Sequence, residues 1–180
     1  MKVQLRHDAG EDTDPAHSRQ FRDLADAAAP VFERALEELG LTGSLPEEVE
    51  ISVSLLSVPE MAEVNKAHRG MDGATDVLSF PLWEEEEKFV PAGGLPVLPL
   101  GDILLCPDYI RANLPPDARA GFVGEMALML AHGFLHLLAW NHDTDERQTA
   151  MEGLQESLRA AILERISAPS SGGDGEVSGQ

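Results

Sequence analysis

Residues 122–142 read FVGEMALMLAHGFLHLLAWNH. Through position 140 the run is apolar on nearly every side of a helical wheel, which marks a helix enclosed by the rest of the domain rather than an amphipathic surface helix. Its length is close to that of a bilayer span, but Glu125, His132 and His136 interrupt it, and a buried core helix is the expectation. His132 and His136 are one turn apart and share a face, and His142 arrives from the loop that follows. A lone histidine on an apolar face is more often a hydrogen-bonded core residue than a ligand. Two on one face are harder to place that way, because burying both without partners is costly. Three neutral imidazoles on one side of an ion leave a fourth position open, as in a catalytic zinc or nickel site. No further Cys or His stands close enough in sequence to close the site, while Asn141 and Asp143 are expected to orient the imidazoles.

Working outward, the elements alternate. Val3 and Leu5 flank Gln4 in a weak strand signal. Residues 18–40 carry Phe21, Leu24, Ala28, Phe32, Ala35 and Leu36 at helical spacing, with Pro30 expected to kink or divide the helix and Gly40 to close it. Val49, Ile51, Val53 and Leu55 alternate with polar residues, the mark of a half-buried strand. Ser57 reads as an N-cap with Pro59 and Glu60 in the first turn of a short helix through His68. Strands follow at 76–82 and 101–106, joined by a Glu-, Pro- and Gly-rich connection at 83–99 whose acidic run 84–87 reads as a solvated loop. Pro107 and Asp108 open a short helix. Asp143 and Glu146 form an approximate capping box for a last amphipathic helix bearing Met151, Leu154, Leu158 and Ile162. The order predicts an α+β fold: a small mixed β-sheet packed against helices, with a buried central helix carrying the metal ligands. One domain is expected over residues 1–167, followed by a disordered Ser/Gly-rich tail at 168–180.

The net charge is −19, from 13 basic and 32 acidic residues, which argues against broad charge-driven binding to nucleic acid and makes DNA an unexpected partner. A local positive site built from a metal and one or two basic side chains is compatible with that charge. The single cysteine, Cys106, excludes an internal disulfide framework, suits a reducing compartment and is expected to pack as a small apolar residue. No window combines a basic n-region with an apolar h-region, so a cytoplasmic protein without a membrane partner is expected.

Position 133 is Gly where His-Glu-x-x-His peptidases carry their general base, which disfavours peptide hydrolysis and suggests space beside the metal. The stretch from His132 to His142 resembles the His-Gly-x-Leu-His-Leu-x-Gly-x-Asp-His signature of the YbeY family of rRNA-maturation endoribonucleases. Asn65-Lys-Ala-His-Arg69, Thr75-Asp-Val-Leu-Ser-Phe-Pro81 and Leu100-Gly-Asp-Ile103 are similar to further family blocks, so the resemblance spans roughly residues 49–158. This chain has Ala139, Trp140 and Asn141 in place of the signature's Gly, Tyr and Asp, Leu128 where many members have another histidine, and His68 in place of a Tyr. The family's Gly would end the helix with positive φ, a conformation Asn141 is expected to take over.

The resemblance implies a zincin-like fold and a single-strand-specific, metal-dependent endoribonuclease. It would act in late 3′-end maturation of small-subunit (16S) rRNA and in ribosome quality control. It also implies one Zn2+ on His132, His136 and His142, with Arg69 in the same cleft. Arg69 and His136 are then the candidate catalytic residues. The implied partners are rRNA and the small ribosomal subunit with its basic ribosomal proteins, which the acidic surface suits. A bound water or a ribose 2′-hydroxyl could each serve as nucleophile. Lys66 reads equally well as a solvated helix residue, and Asp76 and Asp102 as loop-orienting groups near the sheet. Two other functions fit the same residues: an assembly factor whose metal is structural and whose surface recruits proteins, and a metal-dependent hydrolase of another substrate.

Overall fold

The computed structural model describes residues 1–8, 15–116 and 121–168. In chain order these form β1 (Lys2–Asp8), α1 (Pro15–Glu38), β2 (Glu48–Leu55), α2 (Val58–Arg69), β3 (Val77–Pro81), β4 (Glu84–Glu85), β5 (Lys88–Phe89), β6 (Val97–Leu105), α3 (Pro107–Ala112), α4 (Gly121–Leu137) and α5 (Asp145–Ser167). The alternation in β2 becomes burial: Val49, Ile51, Val53 and Leu55 are enclosed, and the residues between them are half-buried. A four-stranded sheet runs β1-β2-β6-β3, with β1, β2 and β6 parallel and β3 antiparallel along one edge. The α+β class and the mixed sheet expected from the sequence are present.

Strand β6 starts earlier than its sequence suggests. Its register against β2 shifts between Glu50 and Ile51, which face Pro99 and Gly101, so Leu100 is an extra residue. The bulge resets the side-chain alternation and lets Leu98, Leu100, Ile103 and Leu105 all be buried. Gly101 (φ 143°) sits where any Cβ would collide with the Phe80 carbonyl oxygen of β3, so the close approach of these strands requires glycine.

Helix α4 is enclosed between the sheet and helices α1 and α5, as its composition requires; Phe134 stacks on Phe32 of α1 with ring centroids 4.0 Å apart. Gly133 does not open space beside the histidines, as its sequence position suggests. It faces β6, and a Cβ there would lie 2.8 Å from Cγ2 of Ile103, so its lack of a side chain serves helix–sheet contact. Pro30 does not divide α1, which runs unbroken past it. The carbonyl that loses its partner belongs to Asp26, on the exposed side, while Phe21, Leu24, Phe32 and Leu36 are buried before and after the proline. Cys106 is buried with Met61 and Leu78 in a small cluster under α2.

The connection at 83–99 contains the two-stranded hairpin β4–β5, with Glu86 and Glu87 at φ 50° and 61° in its turn. Among the described residues no helix is long and apolar enough to cross a membrane. The tail expected at 168–180 lies outside the described residues except for Ala168, whose N–H caps α5 on the Glu164 carbonyl.

Candidate metal centre

Helix α4 and the loop that follows it carry the three histidines. Helix α4 holds His132 and His136 one turn apart, with ring centroids 4.4 Å from each other. The helix then ends in a Schellman cap: Trp140 N–H donates to the Leu135 carbonyl at 3.1 Å and Ala139 N–H to the His136 carbonyl at 3.0 Å. Ala139 itself takes the positive φ of 59° that this cap demands, and Asn141 does not. The cap needs its left-handed residue at one fixed offset from the last turn, and that offset falls on position 139. The reversal returns the chain so that His142 lies 5.8 Å and 5.4 Å, centroid to centroid, from His132 and His136.

One ligand atom from each of the three histidines lies within 4.8 Å of the others, and Nε2 of His132 and His136 are 2.9 Å apart. A tetrahedral zinc with bonds of about 2.0–2.1 Å separates its ligand atoms by about 3.3 Å, within that spread. Gln155 of α5 places its amide oxygen 3.0 Å from His132 Nδ1. An amide oxygen only accepts, so in this contact Nδ1 is the donor and Nε2 is left as the acceptor nitrogen that faces His136 and the cluster. Burial lowers the pKa of His132, against the opposing effect of the Gln155 bond. His136 is pushed down to about 4, first by burial and then by His132 and His142, with a further contribution from Arg69. Two half-buried, neutral imidazoles with lone pairs converging are a donor set that fits a cation.

The partner that orients His132 is therefore Gln155, not the nearby Asn141 or Asp143. Asp143 accepts a bond from Arg147 at 3.0 Å instead, and its carboxyl is held below the usual range by that bond. Nor does Asp143 cap α5: the N-cap is Thr144, whose hydroxyl accepts from Arg147 N–H. Arg147 also bonds Glu87 at 2.9 Å, tying the acidic hairpin turn to the start of α5. Sequence carries no local sign of Gln155, because it is brought to the histidines from 23 residues away by the packing of α5 on α4.

A cleft of about 270 Å³ opens on the histidines, lined by Arg69 at the end of α2, by Leu78, Ser79 and Pro81 on the edge strand β3, and by Glu84. Helix α2 begins at the N-cap Ser57 that its sequence indicates, and the Glu60 side chain bonds back to complete a capping box. After it, Asn65 Nδ2 donates to the Gly73 carbonyl at 2.8 Å and Lys66 pairs with Asp72 at 2.6 Å, so both residues secure the loop beyond Arg69. Asp76 accepts from Thr75 Oγ1 and from Val77 N–H and orients the start of β3. Asp102 faces outward in the sheet. His68 packs edge-on against Phe80, ring centroids 4.9 Å apart, the kind of contact an aromatic ring makes there.

Residues 16–163 match the family model described as Endoribonuclease YbeY. The protein named Endoribonuclease YbeY in Salinispora tropica is 35% identical over 166 residues, covering 89% of this chain and 96% of its own. Its namesake in Bacillus subtilis is 33% identical over 144 residues, covering 76% and 91%. A solution structure of a Thermotoga maritima protein shares the fold with a TM-score of 0.59 at 23% identity, over 94% of this chain and 99% of that one.

Proposed function

This chain belongs to the endoribonuclease YbeY family, and we infer on that footing that it cleaves RNA at the histidine cleft. The observation that carries this reading is the arrival of Arg69 and three converging imidazoles in one open cleft. His132, His136 and His142 would hold one divalent ion, for which zinc suits an all-nitrogen, three-ligand set. When bound, that ion supplies uncompensated positive charge for a phosphodiester oxygen and for activation of a nucleophile.

The chain's own groups do the rest. His132 and His136 stay neutral at physiological pH, first because they are half-buried and then because they neighbour other imidazoles. Gln155 fixes the His132 ring so that Nε2 faces the cluster. Arg69 presents a planar fork to the phosphate as negative charge develops on its oxygens. Single strands are the substrate this reading favours, because an unpaired strand exposes its bases and bends into a cleft of about 270 Å³ more readily than a stacked duplex. The reading extends to late maturation of the small-subunit (16S) rRNA 3′ end and to ribosome quality control. In that role the acidic surface favours contact with basic ribosomal proteins, and the site of action is the cytoplasm.

The test is a single-turnover cleavage assay on single-stranded RNA. Arg69→Ala should keep its metal and fold while cleavage falls by about 10²-fold or more, the scale of losing one oriented transition-state donor. Arg69→Lys should restore only part of the rate, since an ammonium cannot make the two-point contact. An unchanged rate in Arg69→Ala would remove Arg69 from the reaction. A wild type that binds ribosomal particles yet cuts no RNA would favour the assembly-factor reading instead.

A further inference from the structure

A second cavity, of about 310 Å³, lies against the other side of the same histidines. His132 and His142 line both it and the Arg69 cleft. Its other walls are Met129 of α4 and Gln148, Met151, Glu152 and Gln155 of α5. These four α5 positions fall at i, i+3, i+4 and i+7, a single face of the helix.

The two cavities differ in chemistry. The Arg69 cleft offers a guanidinium and suits a phosphate. Among its described lining residues the second cavity has a carboxylate and no Lys or Arg, so it lacks the phosphate-binding group that Arg69 gives the first. It offers instead the half-buried thioether of Met129, backed by the buried Met151, an apolar and polarisable wall that suits the face of a flat ring. Beside them Gln148 Nε2 donates to Glu152 Oε1 at 2.7 Å, which steadies the carboxylate and leaves its other oxygen and the Gln148 amide oxygen as acceptors on the exposed rim. A neutral planar ring with N–H donors on its edge is the complement of these walls, and the volume is that of a small ligand site.

We propose that this cavity receives the base of a nucleotide next to the scissile phosphate, and that it prefers bases with an exocyclic amine over uracil. The proposal rests on the RNA-cleaving reading above. With a strand lying across the histidines, its phosphate faces Arg69 and its flanking base turns toward α5. Only an unpaired base can turn out in this way and present its Watson–Crick edge. The amines of cytosine, adenine and guanine donate to Glu152, as carboxylates accept from cytosine N4 elsewhere. Uracil flanks its single edge N–H with two carbonyl oxygens, which meet the carboxylate unfavourably.

Methyl NMR tests this directly. The chain has six methionines, and the methyl groups of Met129 and Met151 report on the cavity. Metal-loaded protein is titrated with GMP, AMP, CMP and UMP. Those two signals should move with the first three and respond to UMP with affinity about 5-fold weaker or more, the low end of one base-edge contact. Glu152→Gln, on an exposed position, should erase the difference, because its amide can donate to a uracil carbonyl. In parallel, sequencing the ends cut from a randomised single-stranded RNA should show uridine depleted at one position flanking the cut, and the depletion lost in Glu152→Gln. Signals that stay still, or move equally for all four nucleotides, overturn the proposal. So does cleavage with flat base composition, which leaves the nuclease reading standing. Base-selective shifts without any cleavage support the cavity's role and overturn the nuclease reading.

Discussion

His136 titrates at about 4 in the folded, metal-free chain, against about 6.5 in an unfolded one. As the pH falls, the unfolded chain takes up this proton first. The stability linked to neutral His136 is therefore complete above about 6.5 and drains away toward about 4. The ring is half-buried, so the loss is no more than about 2 kcal/mol after screening by solvent. Urea denaturation of metal-free protein at pH 7 and pH 4.5 should show it, and His136→Ala should flatten the pH dependence; an equally steep decline in the variant would assign the loss to other groups. The same substitution should remove most of the bound metal while the fold survives, and full metal content in it would remove His136 from the ligand set. Ala139 gives a second residue-scale expectation. Its left-handed conformation is strained for a residue with a Cβ, so Ala139→Gly should stabilise by about 1 kcal/mol, a rise in Tm of roughly 2–4 °C for a chain this size. A drop in Tm would show that the cap is relaxed with alanine. The histidine spacing was readable in the sequence because helix periodicity alone puts positions 132 and 136 on one face. Which residue would take the positive φ was not, because the hydrogen-bonding offset of the cap is a property of the finished helix end.

At the scale of elements, α4 and β6 meet through Gly133 and Ile103, and this contact sets how deeply the histidine-bearing helix sits against the sheet. Gly133→Ala should destabilise by about 1–3 kcal/mol, as overpacking of a tight contact does. Combining it with Ile103→Ala should cost less than the sum of the two single changes, since the second removes the atoms the new Cβ meets; strict additivity in a double-mutant cycle would contradict the contact. Elements with a local signature were legible: the alternation of β2, the Ser57 N-cap of α2 and the apolar run of α4. The first half of β6 was not, because Pro99 and the bulge at Leu100 break its period. The capping assignment for α5 fell one residue early, since Asp143 and Thr144 are both good N-caps and Asp143 is occupied by Arg147.

For the molecule as a whole, the order β1-β2-β6-β3 puts the last strand between the second and third. No local pattern encodes that order, which follows from where the helices can bury their apolar faces. It leaves β3 at the edge, beside α4, and so places one wall of the cleft next to the histidines. The charge of −19 leaves Arg69 and the proposed ion as the local positive groups of the cleft in an otherwise repulsive field. Binding of single-stranded RNA should therefore depend only weakly on salt, with a log–log slope no steeper than about −2, as expected when few phosphates are contacted; a slope several-fold steeper would reveal a basic track elsewhere. The central claim is that one ion on His132, His136 and His142 makes the cleft a nuclease. It is tested most directly by stripping the protein of metal and following RNA cleavage as zinc is returned in known amounts. The rate should start near zero, rise in proportion to added zinc and level off at one equivalent per chain. Full cleavage by the stripped protein, or no cleavage at one equivalent, would contradict it.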